Sequence, residues 1–96
     1  MAEDWDVAAS VDVPDERGHY VYVLRCGDGT LYAVYTTDVG RRVAEHAAGE
    51  GAKYTRGRTP LELVYVESCG SQSAATRREH EIKQLDRPGK ESLVSG

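Results

Sequence analysis

His19-Tyr20-Val21-Tyr22-Val23-Leu24-Arg25, then Cys26-Gly27-Asp28-Gly29-Thr30, then Leu31-Tyr32-Ala33-Val34-Tyr35-Thr36 is the stretch on which the fold turns. Both flanking runs are rich in β-branched and aromatic residues, which suit a pleated, half-buried surface, and glycines bracket Asp28 between them. The pattern predicts a β-hairpin whose register has two solutions. A two-residue Asp28-Gly29 turn pairs Tyr22 with Tyr35 and sends Tyr32 to the opposite face. A three-residue Gly27-Asp28-Gly29 loop instead pairs Leu24 with Tyr32 and aligns Tyr22 beside them. Only the second gathers tyrosines into a site, and it needs Gly29 in the left-handed region. The plain alternative is that these aromatics are ordinary half-buried strand residues.

Beyond the hairpin, Thr37 or Asp38 can cap a helix whose apolar residues Val39, Val43 and Ala47 recur every four positions, with Gly49 and Gly51 ending it. A basic loop follows from Glu50 to Thr59, and Pro60 precedes a third strand over Leu61–Glu67. Ser71 or Ser73 starts a second helix with Ala74, Ala75, Ile82 and Leu85 on its inner side, ending before Pro88. A short helical turn around Lys90–Val94 completes the chain. The β-β-α-β-α order predicts an α/β fold: a small three-stranded, mainly antiparallel sheet flanked by helices.

Before the hairpin, residues 1–17 mix acids and small residues without apolar periodicity and are expected to form an acidic flexible N-terminal arm, leaving 18–96 as the domain. The whole chain of 96 residues has room for one core. Its net charge of −4 argues against a nucleic-acid partner only superficially. Residues 1–16 hold six acids (Glu3, Asp4, Asp6, Asp12, Asp15, Glu16) and no Lys or Arg, so the remainder carries twelve bases against ten acids. The preference for Arg, nine to three over Lys, together with widely spread acids, is similar to proteins adapted to high salt.

No apolar run is long enough for a membrane span and no signal-peptide pattern opens the chain, so a cytoplasmic location is expected. Cys26 and Cys69 lack neighbours at zinc-ligand spacing and are expected to be reduced and structural.

On the first helix, Val39, Val43 and Ala47 fall at about 0°, 40° and 80°, Arg42 at about 300°, His46 at about 340° and Arg41 at about 200°. Arg42 and His46 thus flank the apolar stripe and, as i, i+4 neighbours, can converge on one anion, while Arg41 points to solvent. A solvated helix edge with a packed histidine is the competing reading. In the basic loop, Lys53, Tyr54, Arg56 and Arg58 combine cations with a stacking ring, as nucleic-acid contacts do; an ordinary soluble loop is the alternative. Glu79 and Glu81 lie on opposite borders of the second helix's apolar stripe, and periodicity does not separate them; either could be an exposed acid paired with Arg77, Arg78 or Lys83.

Taken in order, Tyr20-Val21-Tyr22, Leu31-Tyr32-Ala33-Val34, Arg42-Val43-Ala44-Glu45-His46, Gly51-Ala52-Lys53-Tyr54-Thr55-Arg56-Gly57-Arg58 and Arg78-Glu79-His80-Glu81-Ile82-Lys83 resemble the GIY-YIG endonuclease domain, in particular its small stand-alone members. The resemblance spans about residues 19–87. It implies metal-dependent hydrolysis of nucleic-acid phosphodiesters, DNA above all, with one Mg²⁺ or Mn²⁺ ion. It also implies roles for single residues: Tyr22 and Tyr32 as the motif tyrosines, Arg42 as the helix arginine, His46 as the histidine one turn on, and Glu79 as the metal-binding glutamate. A partner protein is expected to supply targeting, since so small a domain has little surface for sequence readout.

Two positions depart from the family pattern. Tyr20 stands where the first motif begins with Gly, and Val34 where the second motif has Gly. In the three-residue register Val34 faces the tyrosines and would crowd a phosphate there. Tyr35 stands where some relatives carry a Lys. The alternative to hydrolysis is a catalytically impaired nucleic-acid-binding or partner-recruiting module that keeps the fold.

Overall fold

The structure, a computed structural model, describes residues 7–9, 11–47 and 61–95, apart from the side chains at 7–9, 46 and 47. The elements are β1 (Val7–Ala9), β2 (His19–Arg25), β3 (Leu31–Thr36), α1 (Val39–Ala47), β4 (Leu61–Cys69), α2 (Gln72–Gln84) and α3 (Arg87–Ser95). Strands β4, β2 and β3 form the expected antiparallel, three-stranded core, and β1 extends it in the order β1-β4-β2-β3.

The hairpin adopts the three-residue register. Leu24 pairs with Tyr32 and Tyr22 with Val34. The Cys26 N–H donates to the Thr30 carbonyl at 2.8 Å and the Gly29 N–H to the Cys26 carbonyl at 2.8 Å. Gly29 takes φ +89°, the conformation that any Cβ would oppose. The Asp28 carboxylate closes the turn by accepting from the Thr30 N–H at 3.1 Å and its hydroxyl at 2.7 Å.

β2 lies between β4 and β3, and its residues from Tyr20 to Leu24 are all buried. Alternation divides them between two cores. Tyr20, Tyr22 and Leu24 join Val39 of α1 with Leu61 and Leu63, while Val21 and Val23 join Ala75 and Ile82 of α2 with Leu31 and Ala33. Val21, Val23 and Leu24 are each no more than 1% exposed, burial worth about 1.5–3 kcal/mol per side chain. The register of β4 shifts between Val23 and Leu24, whose partners are Tyr65 and Leu63, so Val64 is an extra residue there and packs on the α2 side.

Local chemistry sets the helix ends. The Asp38 carboxylate accepts from the Arg41 N–H at 3.1 Å, which resolves the two candidate caps of α1 in favour of Asp38. Ser71 caps α2 through the Ala74 N–H at 3.0 Å. Asp86 does the same for α3 through Gly89 at 2.9 Å, with Pro88 in the first turn. The helical turn expected around Lys90–Val94 is therefore a longer helix, and its Leu93 and Val94 pack on the α2-side core.

Part of the segment expected as an acidic flexible arm lies among the described residues and touches the sheet. Val7–Ala9 pair in parallel with Leu61–Leu63, using the outer side of β4. Val11 packs against the α1-side core, and the Tyr20 hydroxyl donates to the Glu16 carbonyl at 3.2 Å. Scattered acids hid a run of small apolar residues whose partner is distant in sequence. Cys26, buried, and Cys69, half-buried, form no disulfide and lie near opposite ends of β2, Cys69 being paired in register with His19.

Candidate active site

On the α1 side of the sheet, Tyr22, Tyr32 and Val34 share one apolar cluster with Val39 and Val43. Tyr22 is fully buried on the central strand, while Tyr32 and Val34, on β3 at the end of the strand order, are half-buried. α1 places Arg42 over Tyr22, and the guanidinium hydrogen-bonds the phenol. Burial pushes the Tyr22 hydroxyl up to about 12, with Arg42 opposing the rise in part. Tyr22 is thus protonated near pH 7, its oxygen accepting from Arg42.

Helix geometry separates the two arginines as the wheel predicted. The Arg41 side chain is 71% exposed and that of Arg42 31%. Glu45 holds both, at 3.2 Å from Arg41 and 2.6 Å from Arg42. The hydrogen bond from Arg42 is the chief cause of a lowered Glu45 carboxyl, so the acid is ionised beside the site. Sequence reading gave Glu45 no role, although its spacing of three from Arg42 is a signal for such a pair. His46 lies in α1 one turn beyond Arg42, and its side chain is outside the described residues.

α2 packs on the opposite face, yet its border reaches the tyrosines because β3 ends the sheet. Lys83 projects its ammonium to 5.9 Å from the Tyr32 ring centre and 3.1 Å from the Glu79 carboxylate. Glu81 turns the other way, pairing with Arg78 at 3.3 Å, and Arg78 in turn reaches Glu67 of β4 at 2.9 Å. Periodicity left Glu79 and Glu81 equivalent; in the structure Glu79 shares Lys83 with Tyr32, whereas Glu81 pairs with Arg78. The Lys83 pair is also what the plain surface reading of Glu79 anticipated.

The Arg78 network ties α2 to the sheet. Glu67 accepts from the Tyr65 hydroxyl at 2.6 Å as well as from Arg78, and although burial alone would raise its carboxyl, these two partners together lower it. Tyr35 faces away from the site, on the α2 side, stacked on His19 with ring centres 6.2 Å apart and a 3.0 Å contact between its hydroxyl and Nδ1. Lys53, Tyr54, Arg56 and Arg58 lie outside the described residues.

This chain belongs to the family of the GIY-YIG catalytic domain, whose model matches residues 18–92. The class is one of nuclease-type cleavage of nucleic acid, generally dependent on divalent metal. Within it, the chain is 70% identical over 77 residues to a UPF0213 protein of Natronomonas pharaonis, covering 80% of this chain and 91% of that one. It is 65% identical over 75 residues to a UPF0213 protein of Halobacterium salinarum, covering 78% and 97% respectively. Among solved structures it is similar to a UPF0213 protein from Bacillus halodurans, with 56% identity, a TM-score of 0.53 and coverage of 80% of this chain and 82% of that one. A protein from E. faecalis gives a TM-score of 0.59 at 41% identity, over 84% of this chain and 86% of that one. No helix among the described residues is long and apolar enough to cross a membrane.

Proposed function

We propose that the chain hydrolyses nucleic-acid phosphodiester bonds, with DNA as substrate, at a site made of Tyr22, Tyr32, Arg42, His46 and Glu79. The observation that carries this reading is the convergence of the Tyr22–Arg42 pair and Tyr32 on one face, with Lys83 of α2 lying near the Tyr32 ring and paired with Glu79.

Hydrolysis forms a bond from water oxygen to phosphorus and breaks the bond to the 3′ oxygen, which leaves with a proton. Arg42 is a fixed cation for the charge that develops on the non-bridging oxygens, and its fork can hold Tyr22 and a phosphate together. Tyr22, kept protonated by burial, donates a hydrogen bond to the phosphate or to the attacking water. Tyr32, less buried, relays the proton of that water, giving up its own hydroxyl proton to His46 as it takes the water's.

Glu79 is the residue that would hold Mg²⁺ or Mn²⁺. Its donor chemistry fits, since a carboxylate oxygen is the hard ligand these ions prefer. An ion held there would take one carboxylate and complete its shell with water and substrate phosphate. When bound, such an ion stabilises charge on the phosphate and the departing oxygen.

The basic loop with Lys53, Tyr54, Arg56 and Arg58 extends the contact along the strand, and a partner protein directs the domain to its target. Labelled single-stranded, duplex and branched DNA incubated with Mg²⁺ or Mn²⁺ tests the reading: Tyr32→Phe, Arg42→Ala and Glu79→Ala each lose cleavage, and cleavage that survives all three refutes the site.

Val34 favours a second reading. It pairs with Tyr22 and packs in the tyrosine cluster, so its branched side chain stands where the family pattern has none. Under that reading the domain binds nucleic acid without turnover, and Val34→Gly gains cleavage that the wild type lacks.

A further inference from the structure

We propose that Lys83 is the exchangeable counter-ion of Glu79: it neutralises the carboxylate in the metal-free protein and competes with the divalent ion for it. The inference rests on the reading of Glu79 as the metal-holding residue.

The two side chains are unequally placed. Glu79 is 22% exposed and Lys83 48% exposed, so the less hydrated acid leans on the more exposed base, with Nζ 3.1 Å from Oε2. Lys83 is also more than a surface partner, because the same ammonium lies 5.9 Å from the centre of the Tyr32 ring. It therefore occupies the ground between the carboxylate and the tyrosine, where a cation serving both must stand. Glu81, the other acid of the motif, is turned toward Arg78 and offers no second carboxylate there. A divalent ion and an ammonium on one carboxylate repel each other at this range. The ammonium is a compact charge on a four-carbon stem, able to swing aside without disturbing α2, whereas a guanidinium would hold the carboxylate through its planar fork. Once displaced, Lys83 remains on the Tyr32 side of the helix and adds to the positive charge that an arriving phosphodiester meets.

The consequence is a metal affinity set below what Glu79 alone would give. The test is titration of the full chain with Mn²⁺ in the absence of nucleic acid, following the electron paramagnetic signal of free Mn²⁺, with circular dichroism of each variant recorded alongside. Lys83→Gln is expected to bind Mn²⁺ about two- to fivefold more tightly than wild type, the range matching the usual worth of an exposed ion pair. Lys83→Met, which keeps an unbranched apolar stem without the charge, gives the same gain and stands in should Lys83→Gln unfold. Lys83→Arg shows no gain. Unchanged or weaker Mn²⁺ binding in both uncharged variants, with binding abolished by Glu79→Gln, overturns the competition while leaving Glu79 as the metal residue. Binding that persists undiminished in Glu79→Gln overturns the reading of Glu79 itself.

Discussion

Tyr22 and Tyr32 carry the same functional group, and their surroundings give them different work. Tyr22 is sealed in the core with its hydroxyl pushed up to about 12, so it stays protonated; Tyr32 sits half-buried near an ammonium. The raised value has a stability consequence. A phenol ordinarily ionises near 10 in the unfolded chain, so the native state retains a proton that the unfolded state has lost between about 10 and 12. Stability is therefore intact below pH 10 and falls as pH rises through that window, by about 2–3 kcal/mol for this group. Denaturant unfolding from pH 9 to 12 should show that decline in wild type and a shallower one in Tyr22→Phe; equal slopes would place the buried ionisation elsewhere.

Val34 and Arg42 were both legible in the sequence, one from hairpin register and one from the helical wheel. Glu45 was passed over, although its spacing of three from Arg42 signals such a pair, because pairs at that spacing are equally common on solvated helix faces.

At the scale of elements, the hairpin loop decides whether a tyrosine site exists at all. Gly29 holds φ +89°, and among the described residues a Cβ there meets only the Arg87 guanidinium at 3.5 Å, an ordinary contact, so the cost of Gly29→Ala is backbone strain. That substitution is expected to lower stability by about 1–2 kcal/mol in chemical denaturation. A neutral result would mean that the turn readily takes another form.

The second helix shows where sequence reading stopped. Its apolar stripe was plain, but Glu79 and Glu81 flank it symmetrically, and only their partners in the structure distinguish them, Lys83 near Tyr32 for Glu79 and Arg78 for Glu81. Arg78, paired with Glu67 and hydrogen-bonded to Tyr65, fixes the helix on β4 one residue from Glu79. Arg78→Ala is expected to cost about 1–2 kcal/mol, since it leaves a half-buried carboxylate with one partner fewer, and to reduce cleavage by loosening Glu79. Full activity in a destabilised Arg78→Ala would detach the network from the site.

The whole molecule is an acidic chain built around a mildly basic domain. The antiparallel core and the α-layers on both faces were readable from alternation, helix spacing and Pro or Gly punctuation. The parallel strand β1 and the extra residue at Val64 were not, since each depends on a partner remote in sequence. If the loop cations contact phosphates, replacing Lys53, Arg56 and Arg58 with Ala should reduce the salt dependence of DNA binding, each lost contact lowering the slope by about 0.7–0.9. An unchanged slope would remove the loop from the interface.

The central claim is that residues from the hairpin, α1 and α2 act as one hydrolytic unit across the edge of β3. A double-mutant cycle of metal-dependent DNA cleavage with Tyr32→Phe and Glu79→Ala tests it. Groups that serve one transition state are strongly non-additive, so the double variant should cleave no more slowly than the worse single variant. Losses that multiply independently, or no metal-dependent cleavage in either wild type or Val34→Gly, would contradict it.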